Sequence, residues 1–341
     1  MVDISIIIPC RNEKGYIENC IESLLSQDAD NIEYEVLVVD GDSDDGTKDI
    51  LHKIVKSNDR IKYLCNKEKL VSNALNIGIM NASSPIVMRM DAHTVYDKFY
   101  VKKCLKVMRQ TCADNVGGVW TPKGDGYISR AIAAAFKSPF AIGNAKSHNK
   151  NYEGWVDTVY LGCWKRSLFD KVGLFDEELV RNQDDEFNLR IIKSGGKIWQ
   201  SPSIKCWYVP RNSLYSLWKQ YFQYGFWKVR VIQKHKMFAS YRHIIPALFV
   251  MSVLLGLIMS IIFPVIYPLY MFLMLSYLTF ISVGSMQCAM KDGWTLLTLL
   301  PIVISIYHFS YGLGFLLGIW HFILLGKSGK EVPKTASELT R

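Results

Sequence analysis

Residues 85–94 read PIVMRMDAHT. Ile86, Val87, Met88 and Met90 form an apolar run broken once by Arg89; it ends on Asp91, and His93 follows two positions later. Such a run is a buried strand. Its tip carries a carboxylate and an imidazole, so the strand anchors groups that do chemistry. The same pattern occurs twice upstream. ISIIIP (4–9) leads through Pro9 to Arg11, Asn12 and Glu13, and YEVLVVD (34–40) ends on Asp40. Between these runs lie helical patterns. In GYIENCIESLLSQ, Ile17, Cys20, Ile21, Leu24 and Leu25 keep helical spacing, and TKDILHKIV and LVSNALNIGIMNA follow. With IKYLC (61–65), strand and helix alternate three times before a fourth strand. That alternation predicts a mostly parallel sheet covered on both faces. Ligands bind such sheets beyond the carboxyl ends of the strands, so the three polar tips should meet in one cleft.

The rest of the chain differs in kind. No Asp, Glu, Lys or Arg occurs from Ile244 to Met290, a run of 47 residues, nor from Gly293 to Gly326. A bilayer core about 30 Å thick takes roughly 20 helical residues. The sequence therefore predicts three spans, about 244–263, 267–288 and 300–322, with Pro264 and Pro268 at the first turn. His308 and His321 fall in the last apolar segment and are expected to pack rather than react. The segment 211–242 reads as an amphipathic helix in the headgroup layer, because Leu214, Trp218, Tyr221, Phe222 and Gly225 are interleaved with Lys219, Lys228 and Arg230.

Charge is uneven. Between Phe187 and His243 there are eleven Lys or Arg and no acid, while residues 1–186 hold 24 basic and 28 acidic residues. A cationic belt beside an uncharged segment points to lipid headgroups and away from nucleic acid. Eight scattered cysteines with no C-x-x-C pair fit a reducing compartment and neither a disulfide framework nor a zinc site. No signal peptide is visible, so the N-terminal part is expected in the cytoplasm. Three spans from inside would leave the C-terminus outside, yet GKSGKEVPKTASELTR carries four Lys or Arg against two Glu and favours the inside. Four spans, or two with a re-entrant segment, would remove the conflict.

Neither G-x-G-x-x-G nor a Walker lysine loop is present. Instead the chain shows, in order, IIIPCRNE, VVDGDSDDGT, NALNIGIMNASSPIVMRMDAH, GCWKRSLFDKVGLFDEEL, NQDDEFNLR and QYFQYGFWK. Together these resemble the inverting family 2 glycosyltransferases of GT-A fold, over about residues 3–230. The MDAH form and the trailing YGLGFLLG look most like membrane-attached succinoglycan-type glucosyltransferases. The resemblance implies an α/β nucleotide-sugar-binding domain over 1–210, an interface helix region over 211–242, transmembrane helices over 243–326 and a polar tail over 327–341.

Site residues follow from the same resemblance. Pro9, Arg11, Glu13, Asp40, Lys69, Asn76 and Asp91 would bind the nucleotide sugar. Asp91 and His93 stand where the family has Asp-x-Asp and would hold a divalent metal, Mn²⁺ or Mg²⁺. Histidine in place of the second aspartate gives Mn²⁺ some preference. Asp184 falls on the catalytic base, with Gln183 where the family has glutamate. Gly162, Cys163, Asp185, Glu186, Trp227 and Lys228 fall in the acceptor or diphosphate region. The chain lacks the family's processive Gln-x-x-Arg-Trp, having Gln223-Tyr-Gly-Phe-Trp227, which argues for single addition. The expected activity is transfer from a UDP-sugar to a lipid-linked saccharide at the cytoplasmic face. Two other readings stand beside it: synthesis of a polyprenyl-phosphate sugar, and a non-catalytic membrane scaffold with a degenerate nucleotide-binding domain.

Overall fold

The computed structural model describes residues 2–29, 31–237 and 241–338. Residues 238–240 of the expected interface region and 339–341 of the tail therefore lie outside the described residues. The first elements in chain order are β1 (Ile4–Cys10), α1 (Ile17–Leu25), β2 (Tyr34–Asp40), α2 (Thr47–Ser57), β3 (Ile61–Cys65), α3 (Val71–Asn81) and β4 (Ile86–Arg89). Next come β5 (Thr94–Tyr96), α4 (Tyr100–Thr111), β6 (Asn115–Gly118), α5 (Tyr127–Phe136) and α6 (Pro139–Ile142). Then follow β7 (Gly154–Trp155), β8 (Tyr160–Lys165), α7 (Ser167–Val172), α8 (Gln183–Lys193), β9 (Ile198–Gln200) and β10 (Cys206–Tyr208). The chain closes with α9 (Leu214–His235), α10 (Ile245–Ile262), α11 (Tyr267–Asp292), α12 (Leu300–Gly318) and α13 (Lys334–Ser337). Two compact units result, one from residues 1–121 and 145–208, the other from 122–144 and the chain from 209 on.

The first unit holds an eight-stranded sheet in the order β3-β2-β1-β4-β8-β6-β9-β7 and a two-stranded one, β10-β5. The first four strands are parallel, as the alternation predicts. Their near-continuous apolar sequence has a simple cause: both faces are covered. Ile4, Ile6 and Ile8 enter one core with Val36, Val38 and Met88, while Ile7, Leu37, Val39 and Val87 enter the other. α1 buries Ile17, Cys20, Ile21 and Leu24. Beyond β4 the sheet becomes mixed, because β8 runs antiparallel to both β4 and β6. Those later strands are only two to six residues long, too short for a periodic signal.

In the second unit three helical segments are long and apolar enough to cross a membrane: Ile245–Ile262, Pro264–Asp292 and Leu300–Leu324. They coincide closely with the expected spans. α9 falls within the expected interface-helix region, and its second half is more fully buried than a two-faced helix requires. Gly225, Phe226, Trp227, Lys228 and Val229 are all buried in succession, so this stretch has no solvent face. The cause is close helix packing. Gly314 and Gly318 of α12 lie against the backbone carbonyls of Phe222 and Phe226, and a methyl at Gly318 would come within 2.7 Å of Phe226 O. Small residues four apart let two backbones approach in this way. α13 covers another side, where Trp227 Nε1 donates to Ala336 O at 2.9 Å. His308 packs as expected, its two ring nitrogens bonded to Tyr277 Oη and Phe140 O.

Candidate active site

The parallel register brings the strand tips together. Cys10 pairs with Asp40 across β1 and β2, and Ile7 pairs with Arg89 across β1 and β4. Asp40 and the start of the post-β4 loop thus flank the end of β1, roughly 10 Å apart at two strand spacings. Met90 N donates to Ile7 O at 2.9 Å and continues this pairing one residue further.

Each tip is held by its own contacts. Asp40 is fully buried and accepts from Ser43 Oγ, from Ser43 N at 3.2 Å and from Tyr63 Oη at 3.0 Å. The Asp91 backbone is clamped by Tyr96 Oη, which accepts from Asp91 N at 2.6 Å. The Asp91 carboxylate takes both prongs of the Arg89 guanidinium, Nε at 2.8 Å and Nη2 at 3.2 Å. Arg89 and Asp91 are both buried, and such forked pairs fix geometry as well as charge. Glu13 Oε1 lies 3.0 Å from His93 Nδ1, and the His93 ring meets the edge of Tyr208 at 5.3 Å.

Electrostatics ties the more distant members in. Burial alone would lower the Arg89 pKa; the Asp91 carboxylate, then Asp184 and Tyr160, overcome this and raise it. Burial pushes the Cys20 thiol up, and Asp91 and Glu13 add to it. Burial also raises Cys10, with Asp40 and then Glu13 contributing. One cluster of carboxylates therefore acts on the thiols and the guanidinium around it.

Asp184 opens α8, where Asn182 caps in the left-handed conformation, φ 61°. Asp184 Oδ1 accepts from Asp185 N at 2.9 Å. The helix is anchored from below: Phe187 stacks on Phe175 at 4.4 Å and on Phe169 at 5.2 Å. The three successive acids fall on different sides, as 100° per residue requires. Asp184 acts on Arg89, Asp185 is partly exposed, and Glu186 is buried under Arg190.

Other expected site residues have their own partners in the fold. Both Glu186 oxygens accept from Arg190 at 2.8 Å, and Arg190 also reaches the carbonyls of Val172 and Leu174, so this pair clamps the segment after α7. Asn76 donates to Phe175 O at 2.9 Å and Glu177 Oε1 at 2.8 Å and accepts from Phe175 N, which engages its amide in tying that segment to α3. Cys163 is a core thiol whose pKa burial alone raises. Trp227 and Lys228 are buried within the second unit, and the Trp227 indole is bonded to Ala336. Lys69 pairs with Asp42 at 3.0 Å beside the Asp40 loop. Arg11 lays its stem against Gly41, and its buried Nε has no hydrogen-bond partner among the described residues. Pro9 lies in β1 opposite Val39. At Gly162, φ is 122° and a Cβ would collide with the Trp164 ring, so only glycine fits that turn of β8.

The sequence reading missed an aromatic wall. Trp120 and Tyr160 stack at 5.1 Å with a 6° tilt, Tyr208 closes edge-on to Trp120 at 5.3 Å, and Thr94 Oγ1 lies 3.0 Å from Tyr160 Oη. Tyr208 also touches His93, so the wall borders the acidic cluster.

A divalent cation fits here in part. A carboxylate offers about four lone-pair sites, and Arg89 takes two from Asp91. Glu13 orients the His93 ring through Nδ1, the usual outer support of a ligating histidine. Among the described residues no group of three or more His, Cys, Asp or Glu is gathered to hold a metal. A cation would therefore complete its shell from phosphate and water, as Mg²⁺ commonly does.

The mostly parallel sheet, with Asp40 and Asp91 at its strand ends, forms a GT-A-like domain. The model for the family described as Glycosyl transferase family 2 matches residues 5–172. The chain is 30% identical over 243 residues to the Succinoglycan biosynthesis protein ExoA of Rhizobium meliloti, 71% of this chain and 73% of that one. It belongs to glycosyl transferase family 2. It is also 28% identical over 325 residues, 93% of this chain and 97% of that one, to the Methanococcus voltae dolichyl N-acetyl-alpha-D-glucosaminyl phosphate 3-beta-D-2,3-diacetamido-2,3-dideoxy-beta-D-glucuronosyltransferase. The fold is shared with the mannosyltransferase PcManGT of Pyrobaculum calidifontis, solved with GDP-Man and Mn²⁺, at a TM-score of 0.58 and 17% identity over 92% of this chain and 86% of that one.

Proposed function

We propose that this protein is an inverting, metal-dependent hexosyltransferase. It moves a sugar from a UDP-sugar, with glucose as the transferred residue, to a lipid-linked saccharide at the cytoplasmic face of the cell membrane. The relatives support the setting, since one is named for succinoglycan biosynthesis and another for transfer to a dolichyl-phosphate-linked sugar. The observation that carries the reading is Arg89, a buried cation that pairs with Asp91 and is acted on by Asp184. It links the expected donor end of the site to the expected base.

In this reading Asp40 accepts hydrogen bonds from the uridine ribose, and Arg11 offers its unpartnered Nε to the nucleotide. Asp91 and His93 would hold Mn²⁺ or Mg²⁺, which would supply positive charge beside the leaving diphosphate. Trp120, Tyr160 and Tyr208 offer flat faces to a sugar ring. The acceptor hydroxyl attacks C1 on the face opposite the diphosphate. Its proton passes to Asp184 as the new C1–O bond forms and the bond to the diphosphate breaks, its electron pair leaving on phosphate oxygen.

The test is a panel of nucleotide sugars and lipid-linked acceptors offered to the purified chain with Mn²⁺, Mg²⁺ or chelator. The expected result is UDP release coupled to a glycolipid one sugar heavier, of inverted anomeric configuration, and abolished by chelator. Nucleotide binding without turnover on any acceptor would instead support the scaffold reading.

A further inference from the structure

Asp91 is pinned at its backbone and at its carboxylate. One hydroxyl, Tyr96 Oη, accepts from Asp91 N at 2.6 Å and donates to Asp91 O at 3.2 Å. The same carbonyl accepts from Thr94 N at 3.2 Å and from the Cys20 thiol at 3.5 Å. Tyr96 is itself buried, meets Tyr100 edge-on at 4.9 Å, and lies opposite Cys206 in the β5–β10 pair. The Arg89 fork then fixes the carboxylate, Nε at 2.8 Å and Nη2 at 3.2 Å. With main chain and side chain both held, Asp91 presents its oxygens in one direction, and a ligand must meet them as they stand.

Charge makes this arrangement selective. Arg89 and Asp91 are 9% and 8% exposed, and together they carry no net charge. A divalent ion that approaches Asp91 by itself meets a carboxylate already neutralised, with a fixed positive charge beside it. Burial leaves that repulsion weakly screened. Among the described residues no group of three or more His, Cys, Asp or Glu is gathered to outweigh it.

For a diphosphate the sign reverses, because the same guanidinium attracts it. Arginine offers its donors in a planar fork that suits phosphate as well as carboxylate. Asp184 also acts on Arg89, so this one cation already answers two carboxylates. A diphosphate adds further negative charge, and a divalent ion carried in with it offsets that charge and finds oxygen ligands on it.

We propose that Arg89 is a positioning residue that keeps the cation's place at Asp91 in the empty site, so that the divalent ion loads together with the nucleotide diphosphate and not ahead of it. This role rests on the reading of the site as a metal-dependent nucleotide-sugar site, and adds to it the order of loading and the residue that sets the order. Such coupling is reciprocal: each ligand tightens the other by the same factor.

The test is binding to the full-length chain in detergent, with no acceptor and no turnover. Mn²⁺ binding is read from loss of the free-ion paramagnetic resonance signal, with and without UDP, after subtracting the ion held by UDP alone. UDP binding is read calorimetrically, in chelator and in Mn²⁺. For the unsubstituted chain, UDP should tighten Mn²⁺ by about ten-fold or more, and Mn²⁺ should tighten UDP equally. Arg89→Met should move the two ligands in opposite directions: Mn²⁺ without UDP tighter, and UDP in chelator weaker, each by roughly ten-fold. A merely structural role for Arg89 would weaken both, and that result in a folded variant overturns the proposal. Breaking a buried ion pair costs stability. Should the variant not fold, the unsubstituted chain decides: Mn²⁺ held equally well with and without UDP overturns the proposal. A chain that binds neither UDP nor Mn²⁺, alone or together, overturns the reading of the site and this role with it.

Discussion

Glu35, near the amino end of the parallel sheet, and Asp91, just past its carboxyl end, are engaged in different ways. At the amino end, Glu35 is saturated: it accepts from Ser5 Oγ at 2.7 Å, Ser83 N at 2.8 Å, Ser83 Oγ at 2.6 Å and Lys62 Nζ at 2.8 Å. At the carboxyl end, Asp91 and Asp184 share the influence of one buried arginine. Four donors, three on Oε1 and one on Oε2, hold Glu35 in place and favour its charged form. The Arg89 fork takes two of the roughly four lone-pair sites of the Asp91 carboxylate. Residue type alone does not separate these cases.

The largest effect that tests the contrast is at Asp184. Asp184→Asn keeps the shape but removes the proton acceptor, and a positioned base is worth about 10²–10⁴ in rate. Turnover should fall by that range while donor affinity, measured calorimetrically, stays near wild type. Unchanged turnover would place the base elsewhere. Two positions on, the same chemical change should read differently. Glu186→Gln breaks half of a buried ion pair, expected to cost roughly 3 kcal/mol in denaturant unfolding of the detergent-solubilised chain. Its turnover below the lowered melting temperature should match wild type. A selective loss of turnover with intact stability would return Glu186 to the site.

The parallel half of the fold was legible because strands buried on both faces write continuous apolar runs, and Asp40 and Asp91 stand where those runs stop. Arg89 was not legible as a site residue. Inside PIVMRMD it reads as an interruption, and its partner is known only once the chain turns at Asp91. Trp120, Tyr160 and Tyr208 come from three segments joined by a mixed sheet and a short β5–β10 pair, whose pairings leave no local signature. Asn76, Glu186 and Trp227 have side chains suited to a site, and the structure engages each with tertiary partners.

The smallest effect sits at the saturated end and carries a pH signature. Burial would raise the Glu35 pKa; its bonds to Lys62, Ser83 and Ser5 outweigh this and take it from 4.5 down to about 2. A carboxyl depressed in the folded state stabilises above its unfolded value and loses that contribution as pH falls toward the folded one. Lys62 is more than half exposed, so solvent screens part of the pairing and the contribution is about 1–2 kcal/mol. Glu35→Gln should therefore destabilise the chain by that amount at neutral pH. The gap to wild type should close between pH 4.5 and 2, with turnover per folded molecule unaffected throughout. A gap independent of pH would mean that Glu35 acts by shape and hydrogen bonding alone, and would remove the electrostatic half of the contrast between the sheet's two ends.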